Sequence, residues 1–358
     1  MSPAAQVEDF WSERDTSPDA IDAALRRLLH DRHVANNRLA PARVLNLVVI
    51  VERDWKGETA NRLDRVGRYH ASRTVLCSVQ QGRTTIDAKA LLSYEESSDG
   101  GAGPMRERVE IDLGPGHLSR IDTIIDPVLV SELPTVLWCP NGHDEAVTAL
   151  LEMIDVMLVD SDDLLEPAEA LARISRLLES VYVVDLAWLR TTPWRERLAA
   201  SFDGTERRRL LRQAAGLSID HRGESRASAL LLSGWLASRL GWRVRPLTEE
   251  PGQQLSGSAM RPGGELGIRL TPAPQEAPGL AKVALACDGE HPIAMSLQRA
   301  PGGLQATESF DDGRELRWQI LGASRGEGGI LGEGVRQALL RDVTYGPALE
   351  AARELCPR

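Results

Sequence analysis

The sequence predicts an α/β protein. A doubly wound, mostly parallel sheet with an antiparallel edge is expected in an N-terminal domain, followed by an α+β C-terminal domain. Three observations carry this. Val44–Val51 (VLNLVVIV) is a nearly unbroken β-branched run, the pattern of a central parallel strand covered on both faces. From there to residue 184 apolar runs alternate with helical patterns, as in repeated strand–helix units. Beyond Asp203 the chain changes to short alternating runs broken by Gly and Pro. The expected segments are 1–43 as a helical N-terminal segment, 44–203 as the α/β domain, and 204–358 as the α+β domain.

Residues 1–16 read as loosely docked. Ser17-Pro18 opens a helix whose stripe is Ile21, Ala24, Leu25, Leu28 and Leu29, ending near His33. After the first strand, Lys56–Arg68 reads as a helix and Arg73–Val79 as a second strand. Gly82–Leu92 and Arg106–Leu113, flanking EESSDGGAGP, read as an antiparallel edge pair. Val109, Ile111 and Leu113 alternate there with charged residues, the period of a half-exposed strand. Leu118–Leu129 reads as a helix bent at Pro127. Strands are then expected at Thr135–Cys139, Val156–Val159 and Val181–Val184, with helices at Asp144–Ile154 and Pro167–Leu178.

In the second half, Glu206–Ala215 and Ser225–Leu240 read as helices, the latter apolar nearly all round and so a buried core helix. Leu217–His221 and Trp242–Pro246 read as short strands beside it. Thr248–Gly264 and Thr271–Gly279 read as loops from their Gly, Pro, Ser and Gln content. Glu265–Leu270, Val283–Asp288, Pro292–Gln298, Leu304–Ser309 and Leu316–Leu321 read as an antiparallel meander. Helices at Gly332–Leu340 and Tyr345–Leu355 follow.

The 358 residues fit two domains and bury a sizeable core. A net charge of −10 argues against nucleic-acid or anionic-membrane partners, which select basic patches. Cys77, Cys139, Cys287 and Cys356 are widely spaced and form no CxxC, which fits a reducing cytoplasm. The first residues lack a basic n-region and an apolar h-region, and no apolar run is long enough to span a bilayer. A cytoplasmic protein is expected.

The candidate binding stretch is Asp185–Asp203, DLAWLRTTPWRERLAASFD. Thr192 is placed to cap a helix and Pro193 to occupy its first position. Trp194, Leu198 and Phe202 share one face. Trp188, Arg190, Thr192, Pro193, Trp194 and Arg195 form the candidate partner-binding set, since Trp and Arg concentrate at interface hot spots. Packing of both indoles between two domains is the competing reading, because large aromatics bury most of their surface.

No complete catalytic constellation is legible. There is no Walker motif and no G-x-S-x-G elbow. Gly114–Ser119 sits where a dinucleotide fingerprint would, but matches it poorly and reads as a tight turn with a helix cap. The run Gly326–Gly334 could offer backbone amides to a phosphate, but its two glutamates oppose an anion and a flexible loop is expected. His117, Cys139 and His143 are too few for a zinc site. Asp160–Asp163 could hold a cation, with a solvated helix start as the favoured reading. His70 and Cys77 pair with nothing obvious. No cofactor, metal or catalytic residue is assigned.

NLVVIVERDWKGETANRLDRVGRYHASRTVLCSV, LPTVLWCPNG, DLAWLRTTPWRERLAASFD and ASALLLSGWLASRLGW resemble, in this order, the blocks of the OpcA family, the glucose-6-phosphate dehydrogenase assembly proteins of actinobacteria and cyanobacteria. The resemblance covers most of Leu45–Trp242 and is most specific around Leu186–Arg195. It implies a noncatalytic protein of the oxidative pentose phosphate pathway that binds glucose-6-phosphate dehydrogenase and promotes its assembly or activity. In some members of that family cysteines link the activation to thioredoxin; Cys77, Cys139, Cys287 and Cys356 are not matched to those positions, so thioredoxin-linked redox control stays open. The alternative is an enzyme or small-ligand sensor with a site at the carboxyl ends of the parallel strands, near Asp54, Trp138–Asn141 and Asp160–Asp163.

Overall fold

The structure is a computed structural model and describes residues 6–35, 43–67, 71–95, 105–140, 142–164, 166–321 and 327–357. His70, Asn141 and most of the EESSDGGAGP loop lie outside the described residues.

The chain opens with a strand, β1 (Gln6–Glu13), then α1 (Pro18–Ala35). β1 corrects the loosely docked reading: all eight of its residues pair antiparallel with a later strand, which fixes the segment through its backbone. The Ser17 hydroxyl accepts from the Ala20 amide at 3.3 Å, so the expected start of α1 carries a cap. Ile21, Ala24 and Leu25 are its buried stripe. Next come β2 (Leu45–Glu52), α2 (Lys56–Gly67), β3 (Ser72–Val79), β4 (Asp87–Glu95) and β5 (Arg106–Leu113). The helix expected over 118–129 is broken into a 3-10 turn at Pro115–Arg120, α3 (Ile121–Ile125) and another 3-10 turn at Asp126–Val128, where Pro127 has no amide hydrogen to give.

β6 (Thr135–Trp138), α4 (Asp144–Leu150), β7 (Val156–Val159), α5 (Pro167–Leu177) and β8 (Tyr182–Asp185) keep the strand–helix alternation. The strands form one sheet in the order β1-β4-β5-β3-β2-β6-β7-β8. β5, β3, β2, β6 and β7 pair parallel, while β1–β4 and β4–β5 are antiparallel. β2 is buried at seven consecutive positions, as its unbroken apolar run requires.

The second half runs α6 (Leu186–Arg190), α7 (Thr192–Ser201), α8 (Thr205–Leu211), β9 (Ala214–His221) and α9 (Arg226–Leu240). β10 (Thr248–Glu250), β11 (Gln254–Arg261), β12 (Gly264–Pro272), β13 (Leu280–Cys287), β14 (Ile293–Ala300), β15 (Gly303–Phe310) and β16 (Glu315–Leu321) follow, then α10 (Glu327–Gln337) and α11 (Tyr345–Leu355). The second sheet has the order β10-β11-β12-β9-β13-β14-β15-β16 and is antiparallel except for β9–β12.

Three expectations are corrected here. Thr248–Gly264 is not a loop: β10 and β11 occupy it, with Leu255 and Ala259 buried, and backbone pairing stabilises a strand that its small polar residues conceal. Trp242–Pro246 forms only an isolated bridge between Arg243 and Met260. The glycine-rich run from Glu327 to Gly334 is helical, because Ile330, Leu331 and Val335 are buried and offset the backbone entropy that glycine loses.

The chain divides into two compact units whose segments interleave: Met1–Val159, Ser180–Val184 and Leu331–Leu339 form one, and Asp160–Glu179, Asp185–Ile330 and Leu340–Arg358 the other. The sequence reading places its cut at 203/204; the spatial units assign Asp185–Asp203 with the residues after it. In the second unit α9 crosses α11 with little room. A Cβ on Gly234 would lie 2.2 Å from the Ala348 carbonyl oxygen, so glycine is required there.

Candidate functional site

The singled-out stretch is a buried polar cluster within the second unit. β8 ends at Asp185, whose side chain caps α6 by accepting from the Ala187 amide at 3.0 Å. Asp185 also accepts from the Ser161 amide at 3.1 Å and from the Tyr345 hydroxyl at 2.9 Å. Burial and then the charge of Asp160 push its carboxyl up to about 6, against the bonds from Ser161 and Tyr345.

The turn after β7 supplies the next layer. Arg190 donates to both carboxylate oxygens of Asp160, at 2.7 and 2.6 Å. The pair is buried, with side-chain exposures of 7% for Arg190 and 5% for Asp160. Asp162 lies 3.9 Å from the same guanidinium and accepts from the Ser228 amide and hydroxyl at 3.0 and 2.6 Å. Burial and the neighbouring Asp160 push Asp162 up to about 7. Asp160–Asp163 is therefore neither a solvated helix start nor a cation cradle. Its first two carboxylates, Asp160 and Asp162, are buried and taken up by Arg190 and Ser228, partners 30 and 66 residues away.

Trp188 forms the other half of the cluster. Its indole N–H donates to Asp342 at 2.9 Å, and its ring lies 5.4 Å from that of Tyr345. Arg195 stacks over the same indole at 3.5 Å and approaches Asp342 at 3.6 Å. Burial lowers the Arg195 guanidinium to about 10. Arg195 also donates to the hydroxyls of Thr191 and Thr192 at 3.0 and 2.9 Å. Thr191, not Thr192, is the N-cap of α7, and Pro193 falls at the second helical position. Trp194 is 1% exposed and Trp188 2%. The exposed positions of α7 are Glu196, Ala199 and Ala200.

The structure thus brings Trp188, Arg190, Thr192 and Arg195 into one hydrogen-bonded neighbourhood, with Pro193 half-buried and Trp194 in the core. Sequence reasoning missed Ser228, Asp342 and Tyr345. Their separation from the stretch is 41–160 residues, and no local pattern marks them. Asp185 carried a usable signal: an Asp before LAWLR is a helix cap.

The remaining candidates have plain structural roles. Gly114 closes against Arg83, whose carbonyl oxygen a Cβ would meet at 1.7 Å; its amide donates to His117 Nδ1 at 3.3 Å and its carbonyl oxygen accepts from the His117 amide at 3.0 Å, which is the expected tight turn and cap. His143 occupies the N-cap position of α4 at a φ of 53°, with no capping bond from its side chain. Asp54 is exposed, and Trp138 is buried in β6. Among the described residues no group of three His, Cys, Asp or Glu could hold a metal ion. The cluster's buried carboxylates each accept at least two hydrogen bonds from within the second unit, which fixes their positions.

Two family models match the chain. The glucose-6-phosphate dehydrogenase subunit N-terminal domain of OpcA matches residues 63–176, and the corresponding C-terminal domain matches 181–349. The OxPP cycle protein OpcA of Nostoc punctiforme is 35% identical over 139 residues, 38% of this chain and 30% of its own. That of Synechocystis is 32% identical over 139 residues, 38% of this chain and 29% of its own. The match thus spans about a third of the length of these curated relatives. A solved oxidoreductase from Erwinia carotovora atroseptica is 11% identical with a TM-score of 0.42 over 87% of this chain and 96% of its own, which carries no argument.

Proposed function

We propose that this chain, which belongs to the OpcA family of glucose-6-phosphate dehydrogenase assembly proteins, acts as a noncatalytic partner of that dehydrogenase in the oxidative pentose phosphate pathway. The observation that carries the reading is the pair of family models, which between them span most of the chain from residue 63 to 349. A partner that prefers one conformer or oligomer of an enzyme shifts the population toward it. Couplings of this kind are about 1–3 kcal/mol, roughly 5–150-fold in an equilibrium. Activation is the proposed direction.

The buried cluster supports the reading by its closure. Trp188, Arg190 and Trp194 hold the segment rigid from within, and the face left for contact is that of Glu196, Ala199 and Ala200 with the loops beside α7. A preorganised surface costs less to bind than one that must order. A cytoplasmic location belongs to the same proposal; no helix among the described residues is long and apolar enough to cross a membrane.

The experiment is titration of the purified chain into the dehydrogenase of the same organism, reading rate, substrate affinity and oligomer size. Co-elution with a rise in activity is expected. Ala199→Arg and Glu196→Arg should weaken the complex without lowering the melting temperature. Absence of co-elution together with unchanged kinetics overturns the proposal, and turnover by the isolated chain overturns its noncatalytic part. A thermal shift with sugar phosphates that is indifferent to the dehydrogenase would favour the small-ligand sensor.

A further inference from the structure

The two edges of the second sheet differ in kind. At one edge, β10 has three residues, two of them Glu249 and Glu250, and all are exposed. A short, charged strand is how natural sheets blunt an edge. At the other edge, β16 has seven residues, ELRWQIL, with no proline. Leu316 is 54% exposed, Trp318 40% and Leu321 72%.

The register on β15 shows which face these residues occupy. Leu316, Trp318 and Ile320 stand opposite Glu308, Ala306 and Leu304, all of them buried. Three apolar side chains therefore continue the sheet's buried face one strand beyond the point where its cover stops. Glu315, Arg317 and Gln319 take the other face, with Glu315 and Arg317 2.5 Å apart. Gly303 fixes the strand closely against β15: a Cβ there would sit 1.9 Å from the Ile320 carbonyl oxygen.

This strand complements itself. An antiparallel pairing of two copies about a two-fold axis at Trp318, normal to the sheet, sets Leu316 opposite the other copy's Ile320. It sets Arg317 opposite the other copy's Gln319, and no like charges meet. The same pairing centred on Arg317 would oppose two guanidiniums, which is destabilising. A slip by one residue would turn one copy's apolar row to the polar face. We infer that β16 is a self-pairing edge through which two copies of this chain join their second sheets antiparallel about Trp318. The contact is isologous, so it closes at a dimer and builds no filament.

The test is sedimentation of the full chain over a concentration series, with hydrogen exchange of β16 measured in parallel. A monomer–dimer equilibrium is expected, with β16 amides gaining protection as the dimer fills. Trp318→Lys should shift it to monomer at an unchanged melting temperature. Gln319 reports the register. Gln319→Glu places a carboxylate opposite Arg317 of the other copy twice, and Gln319→Arg opposes guanidiniums twice. The two should move the dissociation constant by roughly 2- to 30-fold in opposite directions. A monomer at every concentration overturns the inference, as does a dimer indifferent to these substitutions. Protection of β16 that arises only when the dehydrogenase is added assigns the edge to that partner instead and equally overturns it.

Discussion

Arg190 grips Asp160 with two parallel hydrogen bonds of 2.7 and 2.6 Å, in a place where neither side chain is more than 7% exposed. A pair so desolvated adds little net stability by existing and costs much to break, because the survivor is left charged and unpaired. Arg190→Met should therefore destabilise by about 3–5 kcal/mol, while the double variant Arg190→Met with Asp160→Leu should recover much of the loss. Urea unfolding of the three proteins checks it; a double variant as weak as the single one would refute the pairing account.

Stability should depend on pH in two opposed ways. Asp185 and Asp162 are raised to about 6 and about 7, by burial first and by Asp160 second. They hold protons more tightly folded than unfolded. Their contribution is full below the ordinary carboxylate value of about 4 and is lost as pH climbs through the folded values. Burial opposes it, but bonds from Thr344 and Trp188 and the charge of Arg195 hold Asp342 below its ordinary value. Its contribution is present above that value and lost on acidification. The stability of wild type relative to Asp185→Asn should fall from acid to neutral pH, and relative to Asp342→Asn should rise. Unfolding curves across that window decide both signs.

The α9–α11 crossing should not tolerate a methyl group. Gly234→Ala puts a Cβ 2.2 Å from the Ala348 carbonyl oxygen and 2.7 Å from the Ala352 amide nitrogen, both backbone atoms. A loss of about 1–3 kcal/mol or more is expected from overpacking, read by thermal melting. A variant as stable as wild type would mean that the helices can separate at no cost.

Removing the core indole should be costly in a different way. Trp194→Ala opens a cavity where the side chain is 1% exposed, and about 3–5 kcal/mol should be lost. Weakened dehydrogenase binding should track that loss of fold, whereas Ala199→Arg should weaken binding alone. Comparing melting temperature with co-elution separates the two.

The thiols should be slow. Burial raises Cys77 to about 12, and Cys287 and Cys356 to about 11, so little thiolate exists at neutral pH. None of the four is in a disulfide, and Cys139 alone is not buried. Native alkylation should label Cys139 first and the rest only on unfolding. Rapid native labelling of Cys77 would contradict the buried thiol and reopen redox control through it.

The parts of the fold that could be read along the chain are those whose burial is repeated at a fixed period. β2 needed only its β-branched run, and α9 only an apolar circumference. The Asp185–Asp203 stretch was visible as unusual, but its partners were not. Asp160 and Asp162 look solvated in isolation, since nothing in VDSDD announces that Arg190 and Ser228 will enclose them. Thr191 and Thr192 are adjacent hydroxyls, and only the turn after Arg190 selects which begins the helix.

Periodic apolarity and turn chemistry are local, so the order of residues was enough for the parallel strands of the first sheet, for α9 and for the family, but not for β1, β10 or β11, whose polar residues are held by backbone pairing. Burial of charge is not local. It is decided when the turn at Asp160–Asp163, α6, α9 and α11 bring Arg190 to Asp160, Ser228 to Asp162 and Tyr345 to Asp185, and until that happens each of these groups is better solvated by water than by any neighbour in the chain.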